Sequence, residues 1–275
     1  MDDSIVLTEV REGVAWVTIN RPAKLNALSS AVVSTLRTTL RELDADERVR
    51  VIALTGAGQN FSVGYDIAEE VEAGLSRAED WHVQLTRNVD LSMAVWASNK
   101  PTIAAVDGWC LAGACELAMA CDLIVATERA RFGEPEIRFG SGPVTLLMPF
   151  VIGQKKTNEL LLTGDVISAA EAERIGLINR VVPAGELVSA VQALAKRIGV
   201  TPAVTLRLTK MALVRAYEAM GLRGAVHSNL DIAATLNAAY SPEKAEFGER
   251  VSKQGLREAL NWRDSRYGKL ESESK

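Results

Sequence analysis

The hydrophobic pattern of the chain begins with two short runs rich in β-branched residues, 5–10 and 14–19. Arg11-Glu12-Gly13 separates them. Runs of this length and composition are typical of strands, and a short link that contains Gly is typical of a hairpin turn. The pattern therefore predicts an N-terminal β-hairpin.

Strand-like and helical patterns then alternate. Apolar runs at about 51–55, 101–106 and 122–126 indicate strands, and segments with helical periodicity lie between them. Ser29 is placed as the N-cap of a helix that runs to about Leu43. Strands that alternate with helices favour an α/β fold.

A second helix start lies further along the chain. Ser168-Ala169-Ala170-Glu171 has the spacing of a capping box, and Gly176 is placed to end the helix. The apolar residues 177–182 are then expected to form a strand before Pro183.

Only helical patterns follow about residue 199, including 202–220 and 242–261. The chain is therefore divided into a core of residues 1–198 and a C-terminal helical region of residues 199–275. The helical region is expected to pack against a neighbouring copy or to fold over its own chain.

Two glutamates carry the candidate chemistry, and each lies at the start of a predicted helix beside a glycine-rich turn. Glu116 ends the run 108–116, which follows the strand at 101–106, and Glu136 lies in Phe132-Gly133-Glu134-Pro135-Glu136-Ile137. Most glutamates are solvated surface groups, so either residue alone is more often structural. However, a glycine-rich turn before a helix presents backbone N–H groups to an anion, and residues 59–67 form a second turn of this kind.

A series of short motifs extends over nearly the whole chain. In chain order they are Ile19-Asn20-Arg21-Pro22, Leu25-Asn26-Ala27-Leu28, Phe61 through Ile67, Pro101 through Asp122, Phe132 through Ile137, Leu162-Thr163-Gly164, Ala170-Glu171-Ala172 and Gly176 through Val182. Together they resemble the enoyl-CoA hydratase/isomerase, or crotonase, family. The resemblance implies a crotonase-like spiral of repeated ββα units followed by a C-terminal helical region.

The resemblance also implies roles for individual residues. The backbone N–H groups of Tyr65 and Gly113 match the two donors of an oxyanion hole for a thioester carbonyl, and Glu116 and Glu136 match the glutamate pair of the hydratases. Contacts with the acyl-CoA ester are expected from Lys24, Leu25, Gly64, Asp66 and Ile67. For Lys24, a solvated surface position is an equally good interpretation.

These residues together imply hydration of an α,β-unsaturated acyl-CoA. Stabilising negative charge on the carbonyl oxygen makes Cβ electrophilic. An ionised Glu116 would then take a proton from water, and a protonated Glu136 would deliver one to Cα. Coenzyme A is part of the substrate in this scheme, and no separate cofactor or metal is expected.

Two alternatives stay open. Residues 138–149 depart from the segment that hydratases of the family place after the second glutamate. An isomerase or another acyl-CoA lyase that uses Glu136 alone is therefore an alternative within the family. A non-catalytic acyl-CoA-binding protein is the alternative from another class.

Composition limits the partners and the compartment. The 275 residues have a formal net charge of −4, which gives no general attraction for nucleic acid. The three cysteines, Cys110, Cys115 and Cys121, lie in apolar surroundings, which favours buried free thiols and a reducing cytoplasm. Met1-Asp2-Asp3-Ser4 is acidic where a leader would be basic, and no apolar run has membrane-spanning length.

Histidine chemistry and assembly complete the expectations. His82 and His227 are the only histidines, and neither is near the glycine turns in sequence, so surface or interface packing is expected for both. The family resemblance and the apolar C-terminal helices predict a homotrimer or a dimer of trimers.

Overall fold

Two β-sheets form the centre of the computed structural model, which describes residues 4–273. The acidic residues 1–3, on which the expected absence of a leader rests, lie outside the described residues. The strands are β1 (Val6–Arg11), β2 (Val14–Ile19), β3 (Val51–Gly56), β4 (Thr102–Val106), β5 (Trp109–Leu111), β6 (Leu123–Thr127), β7 (Arg131–Gly133), β8 (Ile167–Ser168) and β9 (Arg180–Val182).

The larger sheet has the order β1-β2-β3-β4-β6-β9. The predicted hairpin forms its edge, where β1 and β2 pair antiparallel with Val6 opposite Ile19. The remaining pairs are parallel. Parallel strands are usually covered on both faces, which explains their continuously apolar sequences.

Alternate residues of the central strands enter two separate hydrophobic clusters. Ile52 and Leu54 of β3 belong to the larger one, together with residues of many helices. Val51 and Ala53 belong to the smaller one. Because side chains alternate between the faces of a strand, this division shows that β3 is buried on both sides.

The connections between the two sheets generate the spiral. The second sheet has the order β5-β7-β8, and the chain passes from β4 to β5 and from β6 to β7, so successive strands alternate between sheets. A helix follows β5 before the chain returns to the first sheet at β6. Each passage thus adds one strand to each sheet, which is a ββα repeat.

The helices surround the sheets. They are α1 (Ser30–Ala45), α2 (Ile67–Ala73), α3 (Ala78–Trp96), α4 (Gly113–Ala120), α5 (Met148–Ile152), α6 (Gln154–Thr163), α7 (Ala169–Arg174), α8 (Leu187–Gly199), α9 (Ala203–Ala219), α10 (Leu222–Ala238), α11 (Pro242–Gln254) and α12 (Leu256–Glu273). As predicted, the side chain of Ser29 caps α1 by accepting a hydrogen bond from Val32 N–H. The side chain of Ser168 caps α7 in the same way through Glu171 N–H.

Two predicted elements have different bounds in the structure. The strand expected at 177–182 covers only Arg180–Val182, because the N–H groups of Leu177 and Ile178 both donate to the carbonyl oxygen of Ala172 and so close the end of α7. The helix expected at 242–261 is broken at Gly255, which has φ +88° and separates α11 from α12.

Every element described after α8 is helical, and α8 ends at Gly199. Helix α10 packs against α3, and α9 is joined to the core by Lys210, which is 5% exposed. Its Nζ donates to Asp122 Oδ2 at 2.7 Å and to the carbonyl oxygen of Lys100 at 2.9 Å. The division into a core and a helical domain near residue 198 stays a prediction.

The cysteines are buried and free, as predicted. His82 Nε2 lies 3.2 Å from Asp231 Oδ1, and His227 Nδ1 donates to the carbonyl oxygen of Arg223 at 2.8 Å. Within residues 4–273, no helix is both long enough and apolar enough to cross a bilayer.

Candidate active site

Three parallel chain segments meet at one edge of the second sheet. Ser62 forms an isolated parallel bridge with Cys110, and β5 pairs with β7 so that Leu111 lies opposite Gly133. Since the three segments run in the same direction, the residues that come after the paired positions in each segment lie at the same edge of the sheet. Those residues are Gly64 and Tyr65, Gly113, and Glu136.

The first two turns approach each other closely. Gly64 has φ +92°, and a Cβ placed on it would lie 2.6 Å from the Cβ of Ala112 and 3.2 Å from Gly113 N. Ala112 has φ +56°, an unusual conformation for a residue with a side chain, immediately before the first residue of α4. Strained backbone of this kind is concentrated at functional sites. Gly64 is therefore required for the close contact between the turns.

The N–H groups of Tyr65 and Gly113 donate to no other group in the described part of the chain. Their neighbours are engaged: Leu28 N–H donates to the carbonyl of Gly64 at 2.8 Å, and Asp66 N–H donates to the carbonyl of Leu28 at 3.2 Å. Gly113 is the first residue of α4, where backbone N–H groups have no partner within the helix. The structure thus brings two free donors close together, and their role as an oxyanion hole stays a prediction.

Glu116 lies one turn into α4 and is fully buried. Its Oε1 accepts hydrogen bonds from Val144 N–H at 2.5 Å and from Thr145 N–H at 2.8 Å. Its Oε2 has no partner among the described residues. Burial raises the pKa of Glu116 to about 7, although the two backbone donors stabilise the charged form and oppose this rise.

Glu136 lies in the 3-10 helix Pro135–Phe139, and its Oε2 is also buried without a partner in the described residues. Burial raises the pKa of Glu136 well above its usual range, and the charge of Glu116 raises it further, while Arg263 opposes the rise. Only Glu116 has two neighbouring backbone donors. Of the two carboxyl groups, Glu136 is therefore the one that keeps its proton, and Glu116 is the one that ionises first.

A third carboxyl group, which was not expected from the sequence, lies beside this pair. Glu134 is 3% exposed, and its Oε2 has no hydrogen-bond partner among residues 4–273. Burial, together with the charges of Glu116 and Glu136, raises its pKa well above the usual range. Glu134 does not line the cavity described next.

A cavity of about 790 Å³ opens in front of Glu136, a size typical of small-ligand sites. Four of the five predicted CoA-binding residues line it, namely Lys24, Leu25, Asp66 and Ile67, whereas Gly64 does not. The carboxylate of Asp66 already has protein partners, since it caps α2 through Glu69 N–H and pairs with Arg21 at 3.0 Å. Gly113 and Glu116 are not lining residues, but Ala112 and Val144, which adjoin them, are.

The C-terminal helices of the same chain cover this cavity. Its lining includes Val251 of α11 and Leu256, Arg257, Leu260 and Arg263 of α12. The sequence left open whether this region folds over its own chain or packs on a neighbour, and in the structure it folds over its own cavity. Arg257 forms no ion pair within the described residues, so its charge is free to meet a ligand.

An ionisable pair that sequence inspection missed consists of Glu70, which lines the cavity, and Lys244, which does not. Burial raises the pKa of Glu70 to about 7, and nearby Lys244 opposes the rise. Lys244 donates to the carbonyl of Asn237 and lies 5.6 Å from the ring centre of Trp81. Since α2 and α11 are far apart in sequence, no local pattern could have indicated the pair.

The segment 138–149, which departs from the expected hydratase sequence, supplies the two donors that hold Glu116. Asn229 of α10 anchors the segment by donating to the carbonyl groups of Pro143 at 2.8 Å and Val144 at 3.0 Å. The different sequence thus retains a direct contact with the first carboxylate. In the described residues, no group of three or more His, Cys, Asp or Glu side chains is arranged to hold a metal ion.

Comparisons with known proteins agree with this geometry. The family described as enoyl-CoA hydratase/isomerase matches residues 9–250. A probable enoyl-CoA hydratase of Mycobacterium bovis is 40% identical over 220 residues, covering 78% of this chain and 82% of that protein. A short-chain-enoyl-CoA hydratase of Clostridium acetobutylicum is 33% identical over 267 residues, covering 94% of each. The crystal structure of an enoyl-CoA hydratase/isomerase from Xanthobacter autotrophicus Py2 is 41% identical, covers 96% of this chain and 98% of that one, and superposes with a TM-score of 0.93.

Proposed function

We propose, since the chain belongs to the enoyl-CoA hydratase/isomerase family, that its cavity binds an α,β-unsaturated acyl-CoA thioester and that Glu116 and Glu136 add water to it. The predicted family and crotonase-like fold are confirmed. The chain is an enzyme, an enoyl-CoA hydratase of the hydro-lyase class. The observation that supports the catalytic roles is the pair of buried carboxyl groups, each with an unpartnered oxygen, beside two free N–H donors.

In this proposal the N–H groups of Tyr65 and Gly113 bind the thioester carbonyl oxygen. Negative charge develops on that oxygen when water attacks Cβ, so donors fixed beforehand stabilise the transition state more than the ground state. Gly113 is also at the N-terminus of α4, where the helix dipole favours negative charge.

The two carboxyl groups then divide the proton transfers. Glu116, held in its charged form by Val144 and Thr145, takes a proton from the water whose oxygen bonds to Cβ. Glu136, which keeps its proton, delivers it to Cα as the enolate returns to a thioester. The hydroxyl adds to Cβ and the hydrogen to Cα. The enzyme has then exchanged one proton between its two carboxyl groups and is restored by proton transfer through solvent.

The CoA part of the substrate is assigned to the cavity mouth. Lys24 and Arg257 both line the cavity and carry positive charges suited to phosphate groups. The chemistry uses two backbone donors, two carboxyl groups and water, so it requires no separate cofactor. The acyl chain would lie against Trp81, Leu85 and Phe139.

Assembly as a homotrimer or a dimer of trimers is part of the proposal. Helix α9 buries only Lys210, and it exposes large apolar side chains, among them Val204, Leu208 and Leu213. Large apolar side chains exposed on an outer helix are typical of a subunit interface. Light scattering at micromolar concentration should give the mass of three or six chains, and a stable monomer would contradict the proposed assembly.

The three buried free thiols suit a reducing cytoplasm.

The direct test of function uses crotonyl-CoA and follows the absorbance of its conjugated thioester. Hydration removes the conjugation, so the absorbance should fall and 3-hydroxybutyryl-CoA should accumulate. If a 3-enoyl-CoA is instead converted to its conjugated isomer while crotonyl-CoA is not hydrated, isomerase is the better assignment. Binding of CoA esters without either reaction would indicate a non-catalytic protein.

A further inference from the structure

A second polar depression lies on the outer surface, between α1 and α3. It encloses about 340 Å³, and Arg37 and Arg41 of α1 face Arg87 of α3 across it. We refer to it as the arginine groove. It shares no lining residue with the active-site cavity, so it is a separate feature of the molecule.

The charge of the arginine groove is largely uncompensated. Arg37 pairs with Asp90 at 3.1 Å. Arg41 and Arg87 form no ion pair with any residue in the range 4–273. The chain as a whole has a net charge of −4, so three arginines that line one groove are a local exception. Like charges repel each other, and an anion between them would turn that repulsion into attraction.

The wall of the arginine groove contains a buried polar group without a partner. Asn88 is 1% exposed and lines the groove, and its Nδ2 has no hydrogen-bond partner among the described residues. Leaving a buried amide donor unpaired is unfavourable, and a ligand oxygen would supply the missing acceptor. Ser34 and Thr38 add hydroxyl groups to the same lining.

We propose that the arginine groove binds a small anion that carries a phosphate or diphosphate group, at a site separate from that of the acyl-CoA. Guanidinium groups match phosphate oxygens through paired N–H donors, and Arg41 and Arg87 keep theirs free. The volume of about 340 Å³ is at the lower end for ligand sites, which suits a compact ligand. The proposal goes beyond the hydratase assignment and does not depend on it.

The test is calorimetric titration of the full-length protein with inorganic pyrophosphate at low ionic strength. We expect saturable binding by the wild type, and at least a tenfold weaker affinity for the double variant Arg41→Ala/Arg87→Ala. Asn88→Leu, which keeps a similar volume but has no donor, should weaken binding severalfold. Added salt should weaken binding by the wild type because the contacts are partly exposed.

Two further variants identify the site. Arg180→Ala/Arg197→Ala removes the same charge at exposed positions outside the groove and should bind like the wild type. Lys24→Ala/Arg257→Ala alters the active-site mouth and should also retain groove binding. No saturable binding by the wild type, equal binding by Arg41→Ala/Arg87→Ala, or an equal loss in Arg180→Ala/Arg197→Ala would overturn the proposal. Because the readout is binding, a failure of crotonyl-CoA turnover would not affect it.

Discussion

The floor and the roof of the active-site cavity are built in different ways. The floor comprises residues 62–66, 110–116 and 133–136, and the roof comprises α11 and α12. Every residue of α4, which holds the end of the floor, is buried. By contrast, Phe247 is the one buried residue of α11. The proposed reaction therefore takes place at the floor, which is well buried. The roof, which is more weakly attached, surrounds much of the substrate.

The attachments of the two regions differ in strength. Backbone hydrogen bonds and parallel pairing join the floor segments. The ion pair Arg250–Glu246 lies within α11, so it does not join the roof to the rest of the chain, and a pair of this kind contributes only about 0.3–0.5 kcal/mol. The main anchor of the roof is Phe247, stacked on Phe139 with ring centres 4.8 Å apart. Changes in the floor should therefore affect the rate of the reaction, and changes in the roof should affect binding.

The largest effect is expected from the two carboxyl groups of the floor. Glu116→Gln and Glu136→Gln should each lower kcat by roughly 100–10,000-fold, because each removes one proton transfer. CoA-ester binding, measured by calorimetry, should stay close to that of the wild type. Near-normal turnover by either variant would remove that residue from the mechanism, and loss of hydration in Glu136→Gln alone would favour isomerase.

Glu134→Gln is the matched control for this pair. It makes the same substitution at a buried carboxyl group two residues before Glu136, and unlike Glu136 it does not line the cavity. Its kcat should stay within severalfold of the wild type. An equal loss of kcat in Glu134→Gln would show that any buried carboxyl group of the floor affects the rate. It would contradict the specific roles proposed for Glu116 and Glu136.

The next largest effect concerns the N–H of Gly113. Gly113→Pro removes this donor at the first residue of a helix, a position that proline tolerates, and loss of one oxyanion donor typically costs about 3–4 kcal/mol. However, a Cβ at Gly113 would lie 2.1 Å from Cε2 of Tyr65, so the added atom itself disturbs the site.

A Tyr65→Ala background separates the two causes. It removes the ring and keeps the backbone N–H of residue 65. In that background Gly113→Ala retains the donor, whereas Gly113→Pro lacks it, and the proline variant should turn over roughly 100–1,000-fold more slowly. Thermal melting must show that both are folded. Equal turnover by two folded proteins would exclude the N–H of Gly113 as an oxyanion donor.

A smaller effect is expected from pH. Because burial raises the pKa of Glu116 from 4.5 to about 7, kcat/KM should fall as the pH is lowered through that value. The folded protein holds this proton more tightly than the unfolded chain, so the associated stability is present below about pH 4.5 and is lost as the pH rises through about 7. Glu116→Gln avoids this loss, so its melting temperature relative to the wild type should increase between about pH 5 and about pH 8. An unchanged difference would contradict the raised pKa.

The smallest effect is expected in the roof. Arg257→Ala should raise KM for crotonyl-CoA by a few-fold and leave kcat unchanged, because a partly exposed contact with a phosphate group is screened by water and salt. The increase should shrink at high ionic strength. Arg207→Ala, an exposed arginine of α9 away from the cavity, is the control. A fall in kcat for Arg257→Ala would show that the roof takes part in the chemistry.

The floor was largely predictable from sequence, and the roof was not. Strand periodicity, the caps at Ser29 and Ser168 and the glycine turns are local signals, and the structure has them where they were expected. The juxtaposition of Gly113 with Tyr65 depends on pairing between distant segments, and the family motifs supplied it. The contact of Arg263 with the cavity depends on how the chain turns between α11 and α12 at Gly255, which no local pattern specifies.

Glu134 shows another limit of sequence inspection. The residue lies two positions before Glu136 in the same motif, and its sequence context gives no reason to distinguish a buried carboxyl group from a solvated one. Burial is set by the packing of the 3-10 helix Pro135–Phe139 against the roof and α6. Consequently, the number of carboxyl groups that share the site could be counted only in the folded chain.

Cys110 and Cys115, two of the three buried thiols, lie in the floor and allow the rate of its opening to be measured. Cys115 directly precedes Glu116, and its hydrogen bond with Cys110, together with burial, raises its pKa well above the usual range, so it is a neutral, shielded thiol in the closed protein. A thiol-specific reagent can then modify it only when the floor opens. If the reagent reacts faster than the floor recloses, the rate of labelling equals the rate of opening. A bound substrate analogue should lower the rate of labelling, because it adds contacts that must be broken before the floor can open.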